Sequence, residues 1–184
     1  MNKLKILVCG DSHGDNEILN RLLARYPQCD YYIFCGDSNL DIDDPLMQKF
    51  YSVKGNHDFA DFPANLIIAT AYGKILVTHG HLWDVYYSYA SLKEYMQENN
   101  IQICFHGHTH IPSYIEEDGF VFINPGSLMI NRASYGFGTY ALVDWGGRID
   151  ARFYHYQTDK DVTSLVLKEG LKTLKEIKSL LWRD

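Results

Sequence analysis

The chain has no long hydrophobic run. Its N-terminal apolar stretch, Ile6 to Cys9, stops at Gly10, too short for a signal-peptide core, and nothing later approaches transmembrane length. A cytoplasmic protein with no membrane contact is expected. A basic excess is lacking too: the formal net charge is −6 and the pI about 5.7, unlike proteins that track a nucleic-acid backbone. The one lysine cluster, Lys168, Lys172, Lys175 and Lys178, runs with Glu169 and Glu176, and reads as a solvated helix face with ion pairs. Cysteine is sparse. Cys9, Cys29, Cys35 and Cys104 show no CxxC spacing, and three lie inside apolar runs, so buried free thiols in a reducing compartment are expected. Low-complexity tracts, linkers and internal repeats are missing. The 184 residues suit one domain spanning 1–184.

What is present is a recurrence: a short apolar run, a glycine, and a polar cluster beside it. "KILVCG" leads into "DSHG", "YYIFCG" into "DSN", "FYSVKG" into "NHD", and "ICFHG" into "HTH"; "KILVTHG" carries its histidine before the glycine. Such runs, rich in Ile, Val, Phe and Tyr and ended by Gly, read as buried strands. The polar groups therefore collect at strand C-terminal ends, where ligands bind in open α/β sheets.

Helical patterns lie between these runs. "EILNRLLARY" presents Ile18, Leu19, Leu22 and Leu23 on one face, with Asp15 or Asn16 as cap and Pro27 beyond its end. "SYASLKEYMQENN" reads as a second helix. The stretch 113–156 reads as β-hairpins around Asp-Gly and Gly-Gly turns. From Thr163 a packing helix is expected, with Leu167, Leu171, Leu174 and Leu181 at near-helical spacing. The whole reads as mixed sheet with helices outside.

The polar clusters carry a donor set. Asp11 and His13 are two apart and would point the same way from an extended strand end, so both can reach one cation. Asp37 offers two oxygens that can bridge two metals. Asn56 adds a neutral carbonyl oxygen, and His79, His108 and His110 add imidazole nitrogens. Mixed N/O donors suit two borderline cations better than magnesium or calcium, which prefer oxygen shells. No cysteine belongs to the set, so a structural zinc cage is not expected.

In order, the motifs read Asp11-Ser12-His13, Gly36-Asp37, Gly55-Asn56-His57-Asp58, His79-Gly80 and Gly107-His108-Thr109-His110. This resembles the calcineurin-like metallophosphoesterase superfamily. "NPGS" at 124–127 and the chain length resemble its small YfcE-type phosphodiesterase subgroup. The resemblance implies an α/β (α+β) fold, a four-layer αββα sandwich of two mixed sheets flanked by helices, with a dinuclear site. Asp11, His13 and His110 would hold the first metal. Asn56, His79 and His108 would hold the second, and Asp37 would bridge. His57 would act beside the substrate as the catalytic acid, oriented by Asp58. Two divalent ions are implied, manganese first, with nickel, zinc or iron as alternatives.

The expected activity is metal-dependent hydrolysis of small phosphodiesters by a two-metal hydroxide mechanism. Residues 59–78, between Asp58 and His79, leave no room for a cap domain, so weak selectivity is expected. A phosphomonoesterase or nucleotidase on the same site is one alternative. An interaction scaffold is another, since a eukaryotic retromer subunit of this fold has lost most of the ligand histidines. A homodimer remains open, and nucleic acid is disfavoured by the acidic balance. Outside the donor set, His106 and His155 read as structural, while His81 is a candidate pocket residue. Trp83, Tyr86, Tyr87 and Tyr89 read first as packing, and otherwise as a stacking platform or subunit contact. Arg132 reads first as a solubilising surface residue, and otherwise as a phosphate contact.

Overall fold

The apolar runs are continuous because the strands they form are covered on both faces. In the computed structural model, which describes residues 3–133 and 135–181, alternate residues of each central strand enter different cores. From β1 (Leu4–Cys9), Ile6 and Val8 point into one core and Leu7 and Cys9 into another. From β5 (Gly73–Thr78), Ile75 and Val77 join the core of Ile6, while Leu76 faces away.

Two five-stranded sheets result. The first runs β10-β9-β1-β2-β3, with β2 Tyr31–Phe34, β3 Tyr51–Ser52, β9 Thr139–Trp145 and β10 Ile149–His155. The second runs β4-β5-β6-β8-β7, with β4 Asn65–Thr70, β6 Ile101–Phe105, β7 Ser113–Glu117 and β8 Phe120–Asn124. Both are mixed: β1, β2 and β3 are parallel, as are β5, β6 and β8, while β9, β10, β4 and β7 pair antiparallel. The inner faces meet through Ile33, Val77, Phe105, Ile123, Val143 and Phe153. Outside the first sheet, α1 (Glu17–Arg25) lays Ile18, Leu19 and Leu22 over Leu7 and Phe34. Outside the second, α2 (Ala90–Glu98) lays Leu92 and Met96 over Leu76, Cys104 and Phe122. The fold is thus the αββα sandwich.

Several local expectations need correction. Asn16 sits at the α1 cap but makes no side-chain cap bond. Its amide donates instead to Ser38 O, and its Oδ1 accepts from Ser12 Oγ. The run "FYSVKG" yields only the two-residue β3. β4 was not anticipated: it is an edge strand in which Ile68 alone is buried, so it carries little periodic signal.

The C-terminal helix α3 (Thr163–Leu181) lies against β7 and β10, closing the side of the sandwich where the two sheets end. Its buried face is Val166, Gly170 and Leu174, whereas Leu171 and Leu181 are each 43% exposed. Gly170 decides the approach, because a Cβ there would stand 2.3 Å from Pro112 O. All four cysteines are free thiols, with Cys9, Cys35 and Cys104 buried. Among the described residues, no helix is long and apolar enough to cross a membrane.

Gly170→Ala tests this packing. Alanine in an open helix position stabilises by about 1 kcal/mol relative to glycine. Against the Pro112 carbonyl the sign should reverse, with a loss of about 1–3 kcal/mol in urea unfolding. Leu171→Ala should stay within about 0.5 kcal/mol of wild type.

Candidate metal centre

The loops after β1, β2, β3, β5, β6 and β8 leave the sandwich at one rim, because these are the parallel strands of each sheet. They are tied to one another by backbone. Asp11 N–H donates to Gly36 O (2.9 Å), His13 N–H to Asp37 O (3.0 Å) and Gly107 N–H to His79 O (3.0 Å). Asp11 and His13 do not continue an extended strand. β1 ends at Cys9, and both residues have left-handed backbone, φ 52° and 45°. Asp37 (60°), His108 (66°) and His110 (54°) share that conformation. Asp and His tolerate it better than most residues, yet it is uncommon for any side chain and tends to collect at functional sites.

The side chains converge at hydrogen-bonding distances with few hydrogens between them. His110 Nε2 lies 3.1 Å from Asp11 Oδ1 and 3.3 Å from His13 Nε2. Asp11, His13 and His110 thus form one compact group, and Asp11, Asp37 and His79 form a second that shares Asp11. His79 Nε2 is 3.4 Å from Asp37 Oδ2 and 3.1 Å from Asn56 Oδ1, and Asn56 Oδ1 is 3.0 Å from His108 Nδ1. Asn56 therefore joins His108 to the second group.

Whether these residues fit divalent ions is decided by Asp11. Its side chain is wholly buried, and neither carboxylate oxygen accepts a hydrogen bond. A buried carboxylate without hydrogen bonds is costly unless it coordinates a cation. Ligands bound at about 2.0–2.2 Å to one ion stand roughly 3 Å apart, close to the 3.1 and 3.3 Å that His110 Nε2 keeps from Asp11 Oδ1 and His13 Nε2, with His13 and His79 at 4.0 and 3.9 Å from Asp11 Oδ1. Glycines make room for this crowding. A Cβ on Gly107 would lie 2.7 Å from Asp11 Oδ2, and one on Gly55 only 2.0 Å from Asp37 Oδ1. The donor set fits.

Protonation is arranged to match. His79 Nδ1 donates to Cys35 O (2.6 Å), because a carbonyl can only accept, which turns Nε2 toward Asp11, Asp37 and Asn56. Burial lowers the His79 pKa, but the Asp37 hydrogen bond and the Asp11 and Asp37 charges outweigh it and raise it, so without a cation Nε2 carries the proton that a metal would displace. Burial pushes the Asp37 carboxyl up, but the His79 hydrogen bond and charge and the His57 N–H outweigh it and hold it at about 2. Burial, reinforced by the charge of His79, lowers His108 to about 4, so its imidazole is neutral at neutral pH.

A calcineurin-like phosphoesterase superfamily domain matches residues 4–148. The chain belongs to that superfamily. A probable metallophosphoesterase of Bacillus subtilis, YsnB, is 36% identical over 131 residues, covering 70% of this chain and 78% of the relative. The structure of a conserved uncharacterized protein of Streptococcus pneumoniae TIGR4, described as a predicted phosphoesterase, is 36% identical with a TM-score of 0.80, covering 85% of this chain and 91% of the other. A structure described as a novel archaeal phosphodiesterase shares the fold at 18% identity, TM-score 0.57, covering 80% and 99%.

Within this phosphoesterase domain, all seven expected donors, Asp11, His13, Asp37, Asn56, His79, His108 and His110, stand at the one rim. His57 stands at its edge: the ring is exposed and its centroid lies 5.4 Å from that of His13. Asp58 departs from expectation. It does not orient the His57 imidazole, because its buried carboxylate already accepts the N–H groups of Asp37, Ser38, Asn39 and Gly55 at 2.8–2.9 Å. It is the clasp between the loops after β2 and β3.

The sequence reading missed this clasp, and it missed what NPGS does. Asn124 donates to Gly107 O and Thr109 Oγ1, bracing the His108–His110 turn, and Ser127 Oγ donates to Asp11 O. His106 is buried behind the centre between Tyr89 OH and Gly107 O, with its pKa lowered by burial to about 4. His81 lies beside the centre, its ring centroid 5.3 Å from that of His79. His155 stacks on Phe137 away from the centre.

Two outcomes check this account. Asp58→Asn should lower unfolding stability by roughly 3 kcal/mol or more, since one carbonyl replaces an acceptor of four amides, whereas His57→Ala should leave stability within about 0.5 kcal/mol. Asp11→Asn removes a buried charge that accepts no hydrogen bond. The metal-free variant should therefore unfold no more easily than metal-free wild type, yet lose the rise in Tm that Mn²⁺ or Zn²⁺ gives wild type.

Proposed function

We propose that this phosphoesterase is a metal-dependent phosphodiesterase acting on small phosphodiesters. The observation that carries the reading is the wholly buried Asp11 carboxylate without hydrogen bonds, facing His13 and His110 at a rim where His57 is exposed. Asp11, His13 and His110 would hold one cation, Asn56, His79 and His108 the other, with Asp37 between. When bound, two such ions supply Lewis acidity toward the phosphoryl oxygens and toward a water nucleophile.

The chain's own residues do the rest. His79 keeps Nε2 aimed at the centre through its bond to Cys35 O. His57 N–H, donating to Asp37 Oδ1 at 2.7 Å, ties the loop that carries the acid to the carboxylate between the two donor groups. The His57 ring, free of hydrogen bonds and open to solvent, is placed to hand a proton from its nitrogen to a departing ester oxygen. The interval 59–78 is spent on a short loop, β4 and β5. The rim therefore stays open to varied diesters, and selectivity among model substrates should be weak.

The archaeal protein of the same fold, described as a phosphodiesterase, supports diesters over monoesters. Manganese is the proposed metal, and the buried free thiols fit a reducing, cytoplasmic setting.

Hydrolysis of bis(p-nitrophenyl) phosphate should require added Mn²⁺ and exceed that of p-nitrophenyl phosphate. His57→Ala should cost about 10²–10⁴ in kcat while keeping its metal, whereas Asp37→Ala should lose metal and activity together. Faster monoester than diester turnover by the loaded wild type would reverse the substrate assignment.

A further inference from the structure

Arg132 follows the NPGS turn, and its backbone N–H donates to His110 O at 2.8 Å, which fixes its position directly behind a metal-donor residue. Its side chain reaches over the neighbouring loop. Nη1 donates to Tyr86 OH at 2.6 Å, and the guanidinium carbon lies 5.9 Å from the centroid of the Tyr86 ring. Tyr86 is itself anchored, its hydroxyl within 3.3 Å of Thr109 O and its ring edge-on to His108 at 5.4 Å between centroids.

The guanidinium is exposed and tied to Tyr86, whose ring borders His108, yet it has no anion. Among the described residues no carboxylate lies within ion-pair distance of it; Glu169 and Glu176 of α3 line the same hollow without pairing. Its charge reaches the donor set, being one of the influences that lower His108. Two runs of rings flank the donors: His57, His13 and His110 in one, and His79, His108 and Tyr86 in the other. The proposed acid belongs to the first run and the unpaired cation lies against the second.

We propose that Arg132, braced by Tyr86, is a phosphate-binding residue of this site, its guanidinium fork receiving a non-bridging oxygen of the phosphoryl group or of the product phosphate. The assignment rests on the phosphoesterase reading of the metal centre. Arginine suits the task because its planar fork matches phosphate oxygens, and a lysine would supply charge without that geometry. The Tyr86 hydroxyl occupies one N–H and limits the rotamers, so less freedom is lost when an anion arrives.

The test uses Mn²⁺-loaded full-length protein and inorganic phosphate as probe, followed by titration calorimetry, with bound manganese counted in parallel. Arg132→Ala should weaken phosphate about tenfold or more with bound manganese unchanged, because the backbone bond to His110 survives the substitution. Arg132→Lys should recover only part of the loss. Tyr86→Phe, which keeps the ring against His108 and removes the hydroxyl, should fall between wild type and Arg132→Ala. In bis(p-nitrophenyl) phosphate assays the loss should appear mainly in KM.

Phosphate affinity in Arg132→Ala within about twofold of wild type would overturn the proposal. So would loss of manganese in step with phosphate, which would make Arg132 a support for the His110 turn. Failure of the loaded wild type to bind phosphate would overturn it as well. Phosphate binding that depends on Arg132 in a protein that hydrolyses no ester would sink the esterase reading and leave this site standing.

Discussion

A carboxylate buried without hydrogen bonds is the constraint around which this protein is organised. Asp11 leaves β1 into left-handed backbone, sits with no solvent exposure, and accepts no hydrogen bond at either oxygen, with Oδ1 facing the imidazole nitrogens of His13, His79 and His110. Left alone, that arrangement is unfavourable. Its surroundings nevertheless hold it in place: Gly107 concedes the space a Cβ would take, Ser127 grips the Asp11 carbonyl, and Gly36 O receives its N–H. A polypeptide that invests so much backbone in positioning a buried carboxylate that accepts no hydrogen bond is built to meet positive charge.

The fold delivers that geometry from two sheets at once. Because β1, β2 and β3 are parallel in one sheet and β5, β6 and β8 in the other, six loops reach one rim with little connecting chain. Cross-ties then convert proximity into position. The Asp58 clasp joins the loops after β2 and β3, and the His79–Cys35 hydrogen bond joins the sheets while choosing the imidazole tautomer. Asn124 braces the turn bearing His108 and His110. These ties are buried and polar, so each matters more than a comparable surface contact would.

Much of this was legible in the chain. Apolar runs ended by glycine marked β1, β2, β3, β5 and β6 and the edge where polar residues gather, and DxH, GNHD and GHTH marked the donors. What stayed hidden depends on contacts between residues distant in sequence. Nothing local distinguishes an Asp58 that orients His57 from one that accepts four amides, since three of those amides come from residues 37–39. Strand parity suggested that Asp11 and His13 point together; they do converge, but through two left-handed residues instead of an extended strand. The α3 face was misread because leucine spacing alone ignored Gly170, whose value is the close approach to Pro112. Arg132 and Tyr86 meet across 46 positions, and neither residue type announces such a contact.

The central claim, that the rim is a dinuclear metal centre, is tested most directly by anomalous diffraction from crystals grown with Mn²⁺. Two anomalous peaks per chain are predicted, about 3.5–4 Å apart, one among Asp11, His13 and His110 and the other among Asn56, His79 and His108, with Asp37 touching both. A rim without anomalous signal, with Asp11 still buried and unpartnered, would contradict the account.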